Sequence, residues 1–176
     1  TYISTLTYVM QACSEANIPL IVLDRPNPND YIDGPVMEDK YKSFVGLHNI
    51  PVVYGLTIGE YALMVNNEGW LEGGRKCDLR IIGLQNWFHN MPSAYSLPVA
   101  PSPNLPTDKA IALYPPLCLL EGTTVSVGRG TDTPFEIIGS PDCQGKDFTF
   151  VPRPIKGVSE NPPHKGKVCY GENNLE

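Results

Sequence analysis

The segment from Ile3 to Pro28 constrains the fold more than any other. Ile3, Leu6, Val9, Met10 and Cys13 recur at helical spacing, which predicts an amphipathic helix ending near Asn17. Pro19-Leu20-Ile21-Val22-Leu23 follows, a short and wholly apolar run of the kind a parallel sheet buries on both faces. Asp24-Arg25-Pro26-Asn27-Pro28 comes next, polar and stiffened by proline. Helix, buried strand and polar loop at the strand's carboxyl end form the repeating unit of an open α/β sheet. Such sheets bind ligands at that edge.

Downstream, Thr57-Ile58-Gly59-Glu60 carries the capping-box pattern, with Thr57 as N-cap, Glu60 three residues on, and Leu56 and Tyr61 as a hydrophobic staple. Helix initiation thus accounts for Glu60 without a catalytic role. Gly69 is placed as the C-terminal cap of that helix, and Leu79 to Leu84 reads as a further strand. Prolines punctuate the chain from Met91 to Pro106, which predicts a long ordered loop, Pro101-Ser102-Pro103-Asn104-Leu105-Pro106, or a linker between domains. Thr107 to Leu113 reads as a short helix interrupted by Pro115-Pro116, with a second turn delivering Glu121 and Gly122 at its end. Beyond Thr123 the character changes to β, in short runs at Val125/Val127, Phe135 to Ile138 and Phe148 to Val151. The fold class is α/β, with a strand-rich portion second.

Charge and cysteines narrow the function. The net charge of −6 argues against nucleic acid, whose binding needs dense Lys/Arg contacts to phosphate. It leaves room for an anionic small ligand, for which one or two arginines suffice. No stretch approaches the ~18–20 apolar residues of a membrane span. Cys13, Cys77, Cys118, Cys143 and Cys169 include no Cys-x-x-Cys pair, which suits buried reduced thiols better than a zinc site or a disulfide scaffold. The chain opens at Thr1, already in helical pattern, without methionine or signal peptide. Further sequence upstream is therefore expected, and the compartment is not legible.

Leu120 to Thr131 is the densest polar stretch: Glu121, Thr123, Thr124, Ser126, Arg129 and Thr131 share it with Gly122, Gly128 and Gly130. Two readings fit equally: the lining of a polar pocket, where glycine lets the backbone approach a ligand, or a β-hairpin with a solvated arginine. Gly128-Arg129-Gly130-Thr131 lacks the third glycine of a dinucleotide loop, and Gly73-Gly74-Arg75-Lys76 lacks the lysine-hydroxyl ending of a triphosphate loop. A Rossmann-type nucleotide enzyme is disfavoured accordingly. His48, His89 and His164 are scattered, so no metal site is predicted, and His164 reads as a loop residue. A serine hydrolase elbow is lacking too. What remains is carboxylate chemistry with arginine and amide recognition: Asp24, Glu121, Arg25, Arg129, Asn27 and Asn104.

Tyr2-Ile3-Ser4-Thr5-Leu6, Leu23-Asp24-Arg25-Pro26-Asn27-Pro28, Asp33-Gly34-Pro35-Val36, Pro101-Ser102-Pro103-Asn104-Leu105-Pro106, the Leu120–Thr131 run and Pro163-His164-Lys165-Gly166-Lys167 stand in series. Together they resemble the NamZ-type exo-β-N-acetylmuramidases, bacterial enzymes long catalogued as a domain of unknown function. The resemblance implies a Rossmann-like domain without nucleotide, assigned here to residues 1–100, and a smaller α/β domain over 101–176, with the active cleft between them. It implies hydrolysis of β-linked N-acetylmuramic acid from the non-reducing end of peptidoglycan fragments, in the periplasm or outside the cell, without cofactor or metal. The family's proposed catalytic glutamate lies upstream of the Tyr-Ile-Ser-Thr motif, so the chain is expected to be an internal portion of such an enzyme.

Glycoside hydrolysis generally employs two carboxyl groups, and N-acetyl sugars can also use their own acetamide. Glu121 and Asp24 are the expected catalytic carboxylates. The lactyl carboxylate of muramic acid suits an arginine fork, Arg25 or Arg129, and Asn27, Asn104, Thr124 and Thr131 are expected to bind hydroxyls and acetamide. Asp24, Arg25 and Asn27 are further expected to share a cleft with Glu121 and Arg129. The alternative is a non-catalytic sugar-binding domain of a cell-envelope protein, keeping the arginines and amides without needing an acid.

Overall fold

A computed structural model describes residues 2–90 and 96–173. The start of the proline-punctuated stretch, 91–95, lies outside them. The chain divides into two compact units, Thr1–Ser93 and Ala94–Glu176.

In the first unit, α1 (Tyr2–Ala16) leads into β1 (Leu20–Leu23), followed by β2 (Ile32–Val36), β3 (Pro51–Tyr54), α2 (Ile58–Asn67) and β4 (Leu79–Ile82). β1 and β4 pair in parallel, Leu20 opposite Leu79 and Leu23 opposite Ile82, as an α/β unit requires. β2 and β3 form an antiparallel pair with an irregular register between Asp33 and Val36, where Gly34 takes a φ of 83°. That hairpin has no clear signal in the sequence, because Pro35 argues against a strand.

Met10, Val22, Tyr61, Ala62, Val65, Leu71 and Cys77 form the core of this unit, with Leu56 packed against it. The α1 periodicity and the capping box both hold: Thr57 Oγ1 accepts from Glu60 N at 3.2 Å, and Thr57 N donates to Glu60 Oε2 at 2.8 Å. Gly69, just past the helix, has the positive φ of 69° that its capping role requires. One expectation fails. β1 is not buried on both faces: Val22 is buried, but Ile21 is 56% and Leu23 73% exposed. Among the described residues the helical cover, α2 on β1 and β4, reaches only the Val22 face.

His48 adds a pH dependence. Its ring stacks on Trp70 with centroids 4.6 Å apart, and its Nε2 is buried with no partner among the described residues. Burial, helped by the Lys42 charge, pushes its pKa below the ordinary 6.5. As pH falls through that value the unfolded chain takes up the proton first, so stability present above it is lost below. Urea midpoints at pH 7.5 and 5.5, followed by tryptophan fluorescence, should fall with acid in the parent and fall less in His48→Phe. Equal acid losses in both would remove His48 as the cause.

In the second unit, α3 (Asp108–Leu117) precedes β5 (Ile138–Ser140), β6 (Phe148–Phe150) and β7 (Cys169–Glu172), an antiparallel sheet of order β5-β7-β6. Pro115 and Pro116 do not interrupt the helix, contrary to expectation. They occupy its last turn, where few amides remain to be lost, and Pro115 and Leu117 are buried there. A 3-10 turn, Cys118–Gly122, then delivers Glu121 at its end. The β runs are shorter than predicted. Ser126 contributes only an isolated bridge to Gly139, and Phe135 sits at φ 61°, inverted into the core instead of extended. Ala110, Leu117, Val127 and Phe135 make that core.

Candidate carboxylate sites in the two units

Asp24 lies where β1 ends, beside the start of α2. Its Oδ1 accepts from Gly59 N at 2.8 Å and Arg25 N at 2.9 Å, and its Oδ2 accepts from Thr57 Oγ1 at 2.8 Å. A carboxylate at a helix N-terminus satisfies orphan amides and complements the helix dipole. Gly59 makes the approach possible, since a Cβ there would stand 2.8 Å from Asp24 Cγ and from Ile81 Cγ2. Asn27 is engaged similarly: Nδ2 donates to Leu56 O at 3.1 Å and Oδ1 accepts from Asn29 N at 3.0 Å. These bonds tie the loop after β1 to the segment before α2. The Arg25 side chain is exposed.

The same edge holds a group that the sequence did not reveal. His89, in the loop after β4, places Nε2 at 2.8 and 3.0 Å from the two oxygens of Glu60. Its Nδ1 lies 3.7 Å from Asp30 Oδ2, which also accepts from Asn90 N at 2.8 Å. Trp87 stands edge-on to the ring at 5.0 Å. Burial pushes the Glu60 carboxyl up, but the Thr57 amide and His89 together outweigh it and hold the group below its ordinary range. The available signal was positional: His89 follows a strand parallel to β1, so both loops emerge at one sheet edge.

In the second unit Glu121 and Arg129 form an ion pair. Arg129 Nε donates to Glu121 Oε1 at 2.8 Å, Nη2 donates to the same oxygen, and the guanidinium lies 5.0 Å over the buried Phe135 ring. His164 Nε2 is 2.6 Å from Thr124 O; a carbonyl only accepts, so that nitrogen carries the proton. His164 thus pins its own loop to the polar run. Thr131 Oγ1 donates to Gly128 O at 2.7 Å and belongs to a turn. Asn104 anchors the 152–166 loop through Nδ2 to Val158 O at 3.0 Å, while its buried Oδ1 has no partner among the described residues.

Two glycines of the Leu120–Thr131 run bear on its two readings. A Cβ on Gly130 would meet Pro162 and Arg153 O at 2.5 to 2.7 Å, and one on Gly128 would meet Ile137 and Thr133 O at 2.7 to 2.9 Å. The chain itself fills those spaces, so both glycines serve internal packing and not a ligand's approach. Gly122 alone of the three faces open space.

Two family models match the chain: exo-β-N-acetylmuramidase NamZ, N-terminal, over residues 1–109, and its C-terminal counterpart over 112–174. The peptidoglycan β-N-acetylmuramidase NamZ of Bacillus subtilis (strain 168) is 41% identical over 185 residues, covering 97% of this chain and 44% of the relative. Crystal structures of two DUF1343 family proteins from Bacteroides fragilis NCTC 9343 are also similar. One has a TM-score of 0.93 and 49% identity, covering 99% of this chain and 50% of its own length. The other has a TM-score of 0.77 and 31% identity, covering 97% and 48%. The chain spans about half the length of these relatives.

Proposed function

The chain belongs to the NamZ family of exo-β-N-acetylmuramidases, and from that membership we propose that it serves hydrolysis of β-linked N-acetylmuramic acid at the non-reducing end of peptidoglycan fragments. The observation that carries the reading is 41% identity to the Bacillus subtilis enzyme across 97% of this chain. A peptidoglycan substrate supports a periplasmic or secreted location for the protein. No helix among the described residues is long and apolar enough to cross a membrane.

Within this reading Glu121 offers Oε2 to the reaction, because both bonds from Arg129 fall on Oε1. Arg25, exposed at the β1 edge, is the arginine assigned to the lactyl carboxylate. In the second unit Thr124 is exposed and offers its hydroxyl to a sugar, while Asn104 and Thr131 hold loops of that unit in place. Asn27 shapes the Arg25 loop. Asp24 keeps the helix and the loop in place, and this role supports the site whatever its part in proton transfer.

The test uses the full-length polypeptide with 4-nitrophenyl β-N-acetylmuramide and the matching glucosaminide. Turnover of the muramide alone is expected. Turnover of neither, or preference for the glucosaminide, would sink the proposal, and binding without turnover would identify a sugar-binding domain. Arg25→Ala should cost roughly 10- to 150-fold in kcat/KM on the muramide, the value of one charged hydrogen bond. Equal losses with a substrate lacking the lactyl carboxylate would refute the selectivity role.

A further inference from the structure

The capping box explains only half of what Glu60 does. Its Oε2 accepts from Thr57 N at 2.8 Å, as a glutamine's oxygen at that position also would. The negative charge is not needed for capping. It is directed instead at His89, whose Nε2 sits 2.8 Å from Oε1. A carboxylate only accepts, so Nε2 carries the proton and Nδ1 is left as the basic nitrogen.

Nδ1 has no hydrogen-bonded partner among the described residues. Asp30 Oδ2 stands 3.7 Å away, beyond hydrogen-bond length yet close enough to stabilise a positive ring. The cluster is reachable, with His89 37%, Glu60 38% and Asp30 20% exposed. Among the described residues the charged groups at the ring are Glu60 from α2 and Asp30 from the loop after β1, with Asp24 behind Thr57. The arrangement is a carboxylate fixing one imidazole nitrogen and freeing the other at the sheet edge where ligands bind. Asp24, by contrast, spends its carboxylate on three donors of its own chain.

We propose that His89, oriented by Glu60, is the proton acceptor for the attacking water in glycoside hydrolysis. The inference rests on the muramidase reading and adds a residue to it. Water forms its bond to C1 as its proton passes to Nδ1, and the electron pair of the bond breaking at C1 leaves on the departing oxygen. That oxygen takes a proton from solvent or from a carboxylic acid, and His89 returns its own to solvent. Asp30 stabilises the imidazolium between these events. Glu60 and Asp30 are positioning residues.

The experiment measures kcat/KM against pH for the full-length polypeptide, with 4-nitrophenyl β-N-acetylmuramide as substrate. His89→Ala should lose about 10²- to 10⁴-fold and the acidic limb of the profile, and added imidazole should restore part of the rate. Glu60→Gln keeps the capping oxygen, so its Tm should stay near the parent's while its kcat falls with KM little changed. An active parent whose His89→Ala variant keeps the limb and ignores imidazole would overturn this inference and leave the muramidase reading standing. A parent that turns over no muramide would overturn both. Loss in Glu60→Gln that follows Tm alone would reduce the cluster to a structural ion pair and also overturn the inference.

Discussion

Replacing Gly171 with alanine is expected to prevent the sheet of the second unit from forming. Gly171 lies in the central strand β7, opposite Gly139 on one side and Phe148 on the other. A Cβ there would stand 1.8 Å from Ile138 O and 2.7 Å from Gly139 Cα. Both obstacles are backbone, so no side-chain rotation relieves them, and the β5-β7 ladder must part. Overpacking typically costs about 1–3 kcal/mol; this contact is with main chain and far inside van der Waals distance, so roughly 4 kcal/mol or more is expected. Amide hydrogen exchange gives a local readout. Protection in β5, β6 and β7 should disappear while α2 and β4 keep theirs. A variant retaining protection in β7 would show that the strands can separate without loss.

Asp24→Ala should be the most damaging polar substitution in the first unit. It removes the acceptor for Gly59 N, Thr57 Oγ1 and Arg25 N together. Hydrogen bonds to charged groups contribute about 1.5–3 kcal/mol each but do not add fully, so roughly 3–5 kcal/mol is expected. Both tryptophans of the chain, Trp70 and Trp87, lie in this unit, and their fluorescence reports its unfolding in urea. A loss below about 1 kcal/mol would mean that water replaces the carboxylate at the α2 terminus. The result also governs how activity data are read. A dead Asp24 variant indicates catalysis only if its α2 terminus is shown to be intact.

How far the site was legible follows the range of the interactions. The capping box of α2 involves neighbours in sequence, and Thr57 and Glu60 adopt it as read. The parallel pairing of β1 was equally readable, because a helix, an apolar run and a polar loop leave few topologies. Pro115 and Pro116 stay helical against their local propensity because the core of the second unit holds that turn. The capping role of Glu60 is legible in the sequence, but the partner of its carboxylate is not. Nothing near it in sequence announces His89.

By itself, then, the sequence determined the elements whose causes are local or periodic: the face of α1, the terminus of α2, the apolar run of β1 and the polar run that carries Glu121 and Arg129. Only the tertiary structure decided how each charged group is used. Asp24 meets Thr57 and Gly59, and Glu60 meets His89, because the N-terminus of α2 stands at the edge where the loops after the parallel strands β1 and β4 emerge. Gly128 and Gly130 are required by atoms of Ile137, Pro162 and Arg153, not by a ligand. A side chain's chemistry is written in its residue type, but its partner is set by the path of the chain. Contacts between residues distant in sequence depend on packing that no local pattern encodes.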